Sequence, residues 1–438
     1  MLSRCFSLQK YFLVTEAFLH YLWQYRLFDM NHLRTDDGQL VEVIRSGQSN
    51  TGAGPDFFNA QIRLDGTLWA GNVEIHIYAS DWQRHRHHID PAYDSCILHV
   101  VLENDSSTIR MNGSTIPAIQ LKNKFKPYLW DNYLRLIGNR GWIPCQHRLD
   151  EIDSVTWSVT YERMIYERMQ MRSEQILIAL KGNKDNWEEC FYQQLSRNFG
   201  FQLNAIPFEM LARSLPLKCI AKERGNILNV EALFFGQSGM LKSEFTDSYP
   251  LQLKDTYQHL ATKYSLKPIP FSVWKFLRLR PVNFPTIRLA QLATLLTANP
   301  TPFGIFKENT EVNFISKVLG VEASTYWNTH FVFNKSSAFK LKRLGKISVN
   351  NLLINTFVPF LFAWAKYTGD NSFAEQAISF LKTLPPEENH LISRWKETGA
   401  PVHSAVDTQA LIQLKVMNCS EKKCLTCSIG NRLINILP

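Results

Sequence analysis

Long apolar runs, cysteine and, over one long stretch, lysine are all scarce in this sequence. No apolar run approaches the roughly 20 residues that a membrane-spanning helix requires. The beginning, MLSRCFSLQKYFLV, lacks the sustained apolar segment and small-residue cleavage site of a secretory signal. Eight cysteines in 438 residues do not predict a disulfide framework in a chain without such a signal. We therefore expect a cytoplasmic protein with no membrane partner.

The charge is distributed unevenly along the chain. The net charge is +9, yet residues 11–121 carry seven Arg and no Lys against thirteen Asp and Glu. Residues 122–438 carry 39 basic and 26 acidic residues. An acidic segment joined to a basic remainder suits a metal site beside a surface that binds a polyanion such as nucleic acid. The alternative is a modest excess of Lys that keeps a large protein soluble.

The N-terminal quarter of the chain mixes helical and strand patterns. Residues 15–28 have the spacing of an amphipathic helix, and strand patterns follow at 39–45, 57–64, 72–78 and 96–104. The polar stretch 80–95 is partly helical in pattern. Because the first helical pattern starts directly after Val14, we expect the native start there, with Cys5 outside the native chain.

From about residue 125 onward the pattern is mostly helical. Helical spacing, broken by Pro and Gly, recurs at 154–181, 186–199, 205–215, 251–264, 285–298, 350–367 and 371–383. We predict an α/β domain over 15–125, followed by a mainly α-helical basic domain over 126–438 that contains the C-terminal cysteines.

A predicted hairpin brings acidic and imidazole groups together. Asp56 stands at the mouth of one strand, and strand alternation puts Glu74 and His76 on one face of the next strand. Two carboxylates at that separation can hold a divalent cation such as Mg²⁺ or Mn²⁺. Such a cation would orient a phosphodiester and activate water.

Pro55-Asp56, then seventeen residues and Glu74-Ile75-His76, set in this order of helix and strands, resembles the PD-(D/E)XK nuclease superfamily. The resemblance implies a restriction-endonuclease-like αβββαβ core in which Asp56, Glu74 and the backbone carbonyl of Ile75 bind metal. Glu16, or Glu42, resembles the extra acidic residue that some members supply upstream.

The third position of the motif departs from the family, because it is His76 where Lys is expected. No Lys occurs between Lys10 and Lys122, so the core holds no migrated catalytic Lys. Either His76 acts as a ligand or general base, or catalysis has been lost. The chain as a whole also resembles an uncharacterised bacterial family of unknown function through EAFLHYLWQYRLF, GPDFFNAQI, GNVEIHIYASDWQRHRHH, PAYDSCILHVVLEN, FFGQSGML and RLRPVNFPTIRLAQL.

Five of the twelve histidines fall between residues 76 and 99. His85 could approach His76 from the following helix, which would suit a zinc or manganese hydrolase. His87 and His88 lie in a polar stretch that is typical of solvated residues. His99, within a strand, has the pattern of a hydrogen-bonded core histidine.

Two further sets of residues are candidates for binding. Arg278, Arg280 and Arg288 in RLRPVNFPTIRLAQL could bind phosphate, or could form salt bridges between helices. Cys419, Cys424 and Cys427 form C-x4-C-x2-C, a spacing that suits zinc or an iron–sulfur cluster but is one ligand short. Cys145 is the best fourth candidate, and His147 is another.

The sequence therefore predicts a metal-dependent enzyme that hydrolyses phosphodiester bonds in nucleic acid. Asp56 and Glu74 would bind metal, His76 would position or deprotonate water, and the basic helical half would hold the nucleic acid. One alternative is a non-catalytic nucleic-acid-binding or scaffold protein that keeps only the fold. The other is a histidine-rich metallohydrolase with a different substrate.

Overall fold

The computed structural model describes residues 14–309 and 311–437, without the side chain of Phe306. The expectation of a start at Val14, with Cys5 before it, concerns residues outside this range. Contacts divide the chain into two units. Unit 1 combines the stretch that ends at Thr160 with the stretch from Leu414 onward, and unit 2 comprises Tyr161–Gln413.

Unit 1 is built on a mixed six-stranded sheet. Its strands are β1 (Val41–Arg45), β2 (Gln48–Ser49), β3 (Phe57–Leu64), β4 (Thr67–Tyr78), β5 (Cys96–Glu103) and β6 (Ala118–Gln120). The order across the sheet is β1-β3-β4-β5-β6, with β2 also paired to β3. The β1–β3 and β3–β4 pairs are antiparallel, whereas β4–β5 and β5–β6 are parallel. Parallel neighbours need cover on both faces, and seven of the eight β5 residues are buried.

Helix α1 (Glu16–Gln24) begins after Thr15, which has the extended backbone of an N-cap residue. Phe18 and Leu22 are fully buried on its inner face. Phe18 meets the rings of Trp130 and Tyr133 from helix α3 (Pro127–Gly138) at centroid distances of 4.8 and 5.6 Å. Helix α2 (Asp81–Arg84), a single turn, follows β4 and lies between α1 and α3 in the sequence. The aromatic packing explains why α3 belongs to unit 1.

The C-terminal stretch completes unit 1. It contains the π-helical segment Leu414–Cys419, a 3₁₀ turn at Cys424–Thr426 and a last helix, Ser428–Ile434. The side-chain amide of Asn132 in α3 donates to the carbonyls of Ile434 and Ile436 at 3.0 and 2.9 Å. These bonds join residues about 300 positions apart in the sequence.

Unit 2 is mostly helical and encloses a large apolar core that includes Phe191, Phe234, Leu292 and Trp327. Most of the long helix Ser154–Gly182 belongs to this unit. The remaining helices are Trp187–Phe199, Phe201–Ser214, Leu217–Glu223, Ile227–Gln237, Ser248–Tyr264, Pro285–Ala298, Pro302–Glu308, Val312–Leu319, Lys346–Leu352, Val358–Thr368, Ser372–Thr383, His390–Glu397 and Ala405–Gln413. Unit 2 also contains a small hairpin, His330–Val332 with Lys335–Ser336.

One helical run is longer than the helical pattern at 350–367 predicts. The π-helical turn Leu353–Phe357 joins the helices on either side of it into a continuous run, Lys346–Thr368. This run is long and apolar enough to cross a membrane, but 67% of its apolar window is buried inside the fold. Such burial is typical of the core helix of a soluble protein, and it explains the apolar composition.

The coarse expectation of a mixed-sheet region followed by mostly helical structure is confirmed. The strands expected at 39–45, 57–64, 72–78 and 96–104 overlap β1, β3, β4 and β5. The sequence predicts a domain boundary at 125, whereas the contacts group residues 126–160 and the three C-terminal cysteines in the same unit as the N-terminal sheet.

Candidate metal centre

Strand β4 carries Glu74 and His76 into the interior of unit 1. It lies between β3 and β5, and both α1 and α2 pack against it. Glu74 is 4% exposed and His76 is 2% exposed. Buried charged or polar groups of this kind require partners, because leaving one unpaired is costly.

Asp56 and Glu74 hold each other through the backbone. The backbone N–H of Asp56 donates to Glu74 Oε2 at 3.1 Å, and the N–H of Ile75 donates to Asp56 Oδ2 at 3.0 Å. A bulge between Phe57 and Ala60, with Asn59 in the left-handed region at φ +56°, shifts the β3–β4 register here. Such bulges re-aim side chains near sites, and this one lies where the two carboxylates meet.

Three imidazoles converge on the same point. The ligand nitrogens of His76, His85 and His87 all lie within 4.8 Å of one another. His76 Nε2 is 3.1 Å from His85 Nδ1 and 3.6 Å from Glu74 Oε1, and His87 Nε2 is 3.3 Å from Glu74 Oε1. Ligands about 2.0–2.1 Å from a tetrahedral ion are themselves roughly 3.3 Å apart. The observed separations are therefore those of ligands that could share one ion.

A buried hydrogen-bonded chain fixes the orientation of His76. His76 Nδ1 is 2.8 Å from His99 Nε2, and His99 Nδ1 is 2.7 Å from Thr108 Oγ1. Burial, followed by the charges of neighbouring histidines, lowers the pKa of His76 to about 2, and burial lowers that of His99 to about 3. Both rings are therefore neutral. If the N–H of each ring lies on Nδ1, the chain runs toward Thr108 and leaves the lone pair of His76 Nε2 facing the cluster.

Helix α1 contributes two more groups, Glu16 and His20, one turn apart. His20 Nε2 is 3.2 Å from Asp56 Oδ2. Burial depresses the pKa of His20, but the hydrogen bond and charge of Asp56 outweigh burial and raise it. Burial raises the pKa of Glu16, which also lies within electrostatic range of His20, Asp56 and His85. Burial likewise raises the pKa of Glu74.

The structure brings together Asp56, Glu74, His76, His85 and Glu16, all of which were candidates from the sequence. Glu42 is elsewhere: it pairs with Arg63 near the opposite end of β3, about 20 Å from Asp56 at 3.3 Å per residue.

Two members of the cluster, His20 and His87, were not among the sequence-based site residues. The expectation that His87 is solvated was wrong, because its side chain is only 11% exposed and Tyr93 stacks on it at 3.8 Å. The helical spacing of Glu16 and His20 was the available signal for His20. His99 is a core histidine, as expected, and is 0% exposed.

The three arginines proposed for phosphate binding differ in exposure. Arg288 is 6% exposed, and its terminal nitrogens donate to Gln291, Asn283 and Ser348 at 2.7–3.1 Å. Burial lowers its pKa to about 10. Arg288 is therefore a structural residue, whereas Arg278 and Arg280 are exposed and remain phosphate-binding predictions.

Cys145, Cys419, Cys424 and Cys427 line one small pocket in unit 1, together with Leu136, Pro144, Asn418, Lys423 and Gly430. Burial, and then neighbouring sulfurs of this group, raise the pKa of the Cys145, Cys419 and Cys424 thiols. The fourth cysteine expected from the sequence is thus beside the other three. His147 does not line this pocket.

A family model described as "Protein of unknown function (DUF2851)" matches residues 16–390, which is most of the chain. No curated protein and no solved structure matches significantly. The matched region contains every acid and histidine of the candidate metal centre, and it ends before the three C-terminal cysteines.

Proposed function

We propose, from the premise that the chain belongs to the DUF2851 family of proteins of unknown function, that unit 1 is a metal-dependent phosphodiesterase acting on nucleic acid. The observation that carries the proposal is the convergence of Asp56 and Glu74 with three imidazole nitrogens. Carboxylate oxygens and neutral imidazoles are metal ligands. Glu74 and His76 are buried, whereas His87 is half-buried and His85 is exposed, so the site has both a buried and a solvent-facing side.

The donor set indicates which ions would suit the site. Glu74, His76, His85 and His87 would hold the ion. Asp56 would lie beside them, next to His20 of α1. Carboxylate ligands alone suit Mg²⁺ or Mn²⁺, whereas imidazole ligands favour Mn²⁺ or Zn²⁺ over Mg²⁺. A bound divalent ion supplies Lewis-acid activation of the phosphoryl oxygen and lowers the pKa of a bound water.

The chain's own groups would carry out the remaining tasks. The lone pair of His76 is directed by His99 and Thr108, so His76 would serve as a ligand and not as a mobile base. His20 is half-buried, and its Nε2, 3.2 Å from Asp56 Oδ2, would donate to that carboxylate, so Nδ1 is the ring nitrogen that would accept a proton.

The choice of a phosphodiester substrate rests on topology and charge. Helix α1, strands β1, β3 and β4, helix α2 and strand β5 follow the αβββαβ order that the PD-(D/E)XK resemblance implies. The successive strand pairs are antiparallel, antiparallel and parallel. Asp56 stands at the start of β3 and Glu74 lies within β4. The positive balance of residues 122–438 supports binding of a polyanionic substrate.

A second function is favoured by one observation. Three histidines around a single carboxylate form a set richer in nitrogen than the motif requires. A histidine-rich metallohydrolase that acts on a different substrate would use the same ligands.

The decisive experiment compares cleavage of single-stranded DNA, duplex DNA and RNA by the full chain with Mn²⁺, Mg²⁺ or Zn²⁺. We expect cleavage in at least one metal, and Asp56→Asn and Glu74→Gln should each reduce it by on the order of 100-fold or more. Glu42→Gln, an acid of the same sheet outside the cluster, is the matched control and should cleave normally.

Two results would reject the proposal. Metal bound at the histidines without cleavage of any nucleic acid, but with hydrolysis of a non-phosphate ester, would favour the second function. Salt-sensitive binding of DNA or RNA without cleavage in any of the three metals would indicate a non-catalytic binding protein.

A further inference from the structure

A second cluster of ligand-type side chains lies in unit 1 outside the acidic and histidine site. Its four members come from two distant parts of the sequence. Cys145 follows helix α3, and Cys419, Cys424 and Cys427 belong to the C-terminal stretch. All four line one pocket, and thiol side chains are the preferred ligands of zinc and of iron–sulfur clusters.

The backbone of the C-terminal stretch is bent to present these sulfurs. Lys422 adopts a left-handed conformation, with φ of +50°, between the first and second cysteines of the C-x4-C-x2-C segment. The N–H of Cys427 donates to the carbonyl of Cys424 at 3.3 Å. A Cβ atom at Gly430 would lie 2.1 Å from that same carbonyl oxygen, so only glycine permits this close approach.

Two lysines place positive charge beside the sulfurs. Lys415 is within electrostatic range of Cys419, and Lys422 is within range of Cys424. Lys415 Nζ donates to the carbonyl of Trp142 at 2.9 Å, and Lys422 Nζ donates to the carbonyl of Ile137. A centre with four thiolates carries net negative charge, which these ammonium groups would offset.

We propose that Cys145, Cys419, Cys424 and Cys427 bind a thiolate-ligated metal centre, either a zinc ion or an iron–sulfur cluster, that fastens the C-terminal stretch to unit 1. Four sulfurs complete the coordination that three clustered cysteines leave one short. The four ligands come from both chain stretches of unit 1. The centre would therefore close a loop of more than 250 residues between Cys145 and Cys419. Binding energy at such a site is folding energy for the segment that it ties down.

The fastened stretch also supports helix α1. Tyr21 Oη in α1 donates to Asn431 Oδ1 at 3.1 Å, and the side-chain amide of Asn435 donates to Tyr21 Oη at 2.7 Å. These two hydrogen bonds join the C-terminal stretch to helix α1, which carries Glu16 and His20. The thiolate centre is a structural support for α1, and it does not depend on the phosphodiesterase proposal.

The test is metal and acid-labile sulfide analysis of the full chain purified without oxygen and without added metal. We expect near-stoichiometric zinc, or iron with sulfide and a brown absorbance. Cys427→Ser and Cys145→Ser should each lower this metal by on the order of tenfold. Cys219→Ser, at a buried cysteine of unit 2, is the matched control and should retain it.

Limited proteolysis supplies a readout that does not require a folded variant. Removing the metal from wild-type protein with a chelator should make the C-terminal stretch cleavable while unit 2 stays resistant. Zinc and iron–sulfide contents separate the two kinds of centre. Absence of both metals, or metal retained in the Cys145 and Cys427 variants, would overturn the proposal whatever the outcome of the nuclease assays.

Discussion

Buried polar groups are arranged differently in the two units. In unit 1, the carboxylate of Glu74 and the nitrogens of His76, His85 and His87 face one another at 3.1–3.6 Å. In unit 2, the buried groups Glu231 and Arg288 are each paired as acceptor or donor with neighbouring side chains. Glu231 accepts hydrogen bonds from Tyr249 and Ser324, and the terminal nitrogens of Arg288 donate to three neighbouring side chains.

The difference distinguishes structural polar groups from ligand sets. A buried donor paired with an acceptor satisfies both groups and stabilises packing. A hydrogen bond between two members of the Glu74 and histidine group satisfies only that pair, and the proposed cation would be a partner for all of them. The burial of a polar side chain therefore does not by itself indicate its role. The direction of its lone pairs does.

The distinction between the two units would be wrong if a histidine of unit 2 contributed as much to metal affinity as a histidine of unit 1. We expect His76→Ala to weaken Mn²⁺ or Zn²⁺ binding by on the order of 1,000-fold, or about 4 kcal/mol, because it removes a directed ligand. Calorimetric titration measures the change. His330→Ala, at a half-buried histidine 3.4 Å from Asp247, is the control and should bind normally. Equal losses in both variants would contradict the distinction.

Glu231 tests the other half of the comparison, that unit 2 buries its polar groups for structure. Burial raises its pKa from 4.5 to about 7. Between these values the folded state keeps a proton that the unfolded state has lost, so stability falls as pH rises through the window, by about 3 kcal/mol in total. Glu231→Gln should abolish this loss, as measured by chemical unfolding at pH 4.5 and pH 8.

The control for this measurement is the same substitution at Glu244, an exposed residue of unit 2. Glu244→Gln should leave the pH dependence as in wild type. A Glu231→Gln protein that still loses stability over the same range would show that another group is responsible.

A smaller effect would sharpen the comparison by separating ligands from the residues that orient them. Thr108→Val removes the hydroxyl that lies 2.7 Å from His99 Nδ1 while keeping the side-chain shape. We expect metal affinity to fall about tenfold, since orienting partners contribute roughly that much. Thr108→Ser should restore it. Equal affinity in the Val and Ser variants would mean that the chain to His76 has no orienting role.

The smallest effect is expected at the sheet surface. Glu42 and Arg63 form an ion pair with both side chains more than 40% exposed. Arg63→Ala should change the free energy of unfolding by no more than about 0.5 kcal/mol, because exposed pairs are weakened by solvent. It should leave metal affinity unchanged. A large loss of affinity would place this end of β3 in the site after all.

Local patterns were enough to predict that Asp56, Glu74 and His76 lie close together. Alternation along 72–78 predicted a shared face for Glu74 and His76, and the hairpin predicted Asp56 beside them, because both depend on residues close in sequence. Strand β3 runs over Phe57–Leu64, the range that its pattern predicts. His85 was also predicted, since one short helix separates it from β4.

Other parts depend on backbone geometry or distant contacts that periodicity does not encode. His87 reaches Glu74 because Arg86 adopts a left-handed conformation, with φ of +65°, which redirects the chain after α2. A polar residue in that conformation has no distinctive pattern. The return of residues 414–437 to unit 1 depends on contacts such as Asn132 with Ile434, which join positions 302 residues apart.

The interrupted chain path of unit 1 has a consequence during synthesis. Residues up to Thr160 leave the ribosome first, and the stretch from Leu414 follows only after all of Tyr161–Gln413 has been translated. At about 5–20 residues per second, roughly 10–50 s pass before the partner of α1 and α3 exists. During that interval Asn132 and Tyr21 lack the groups that they bind in the finished protein. A nascent chain halted within unit 2 would therefore carry the sheet without its closing segment, a state that chaperones could recognise.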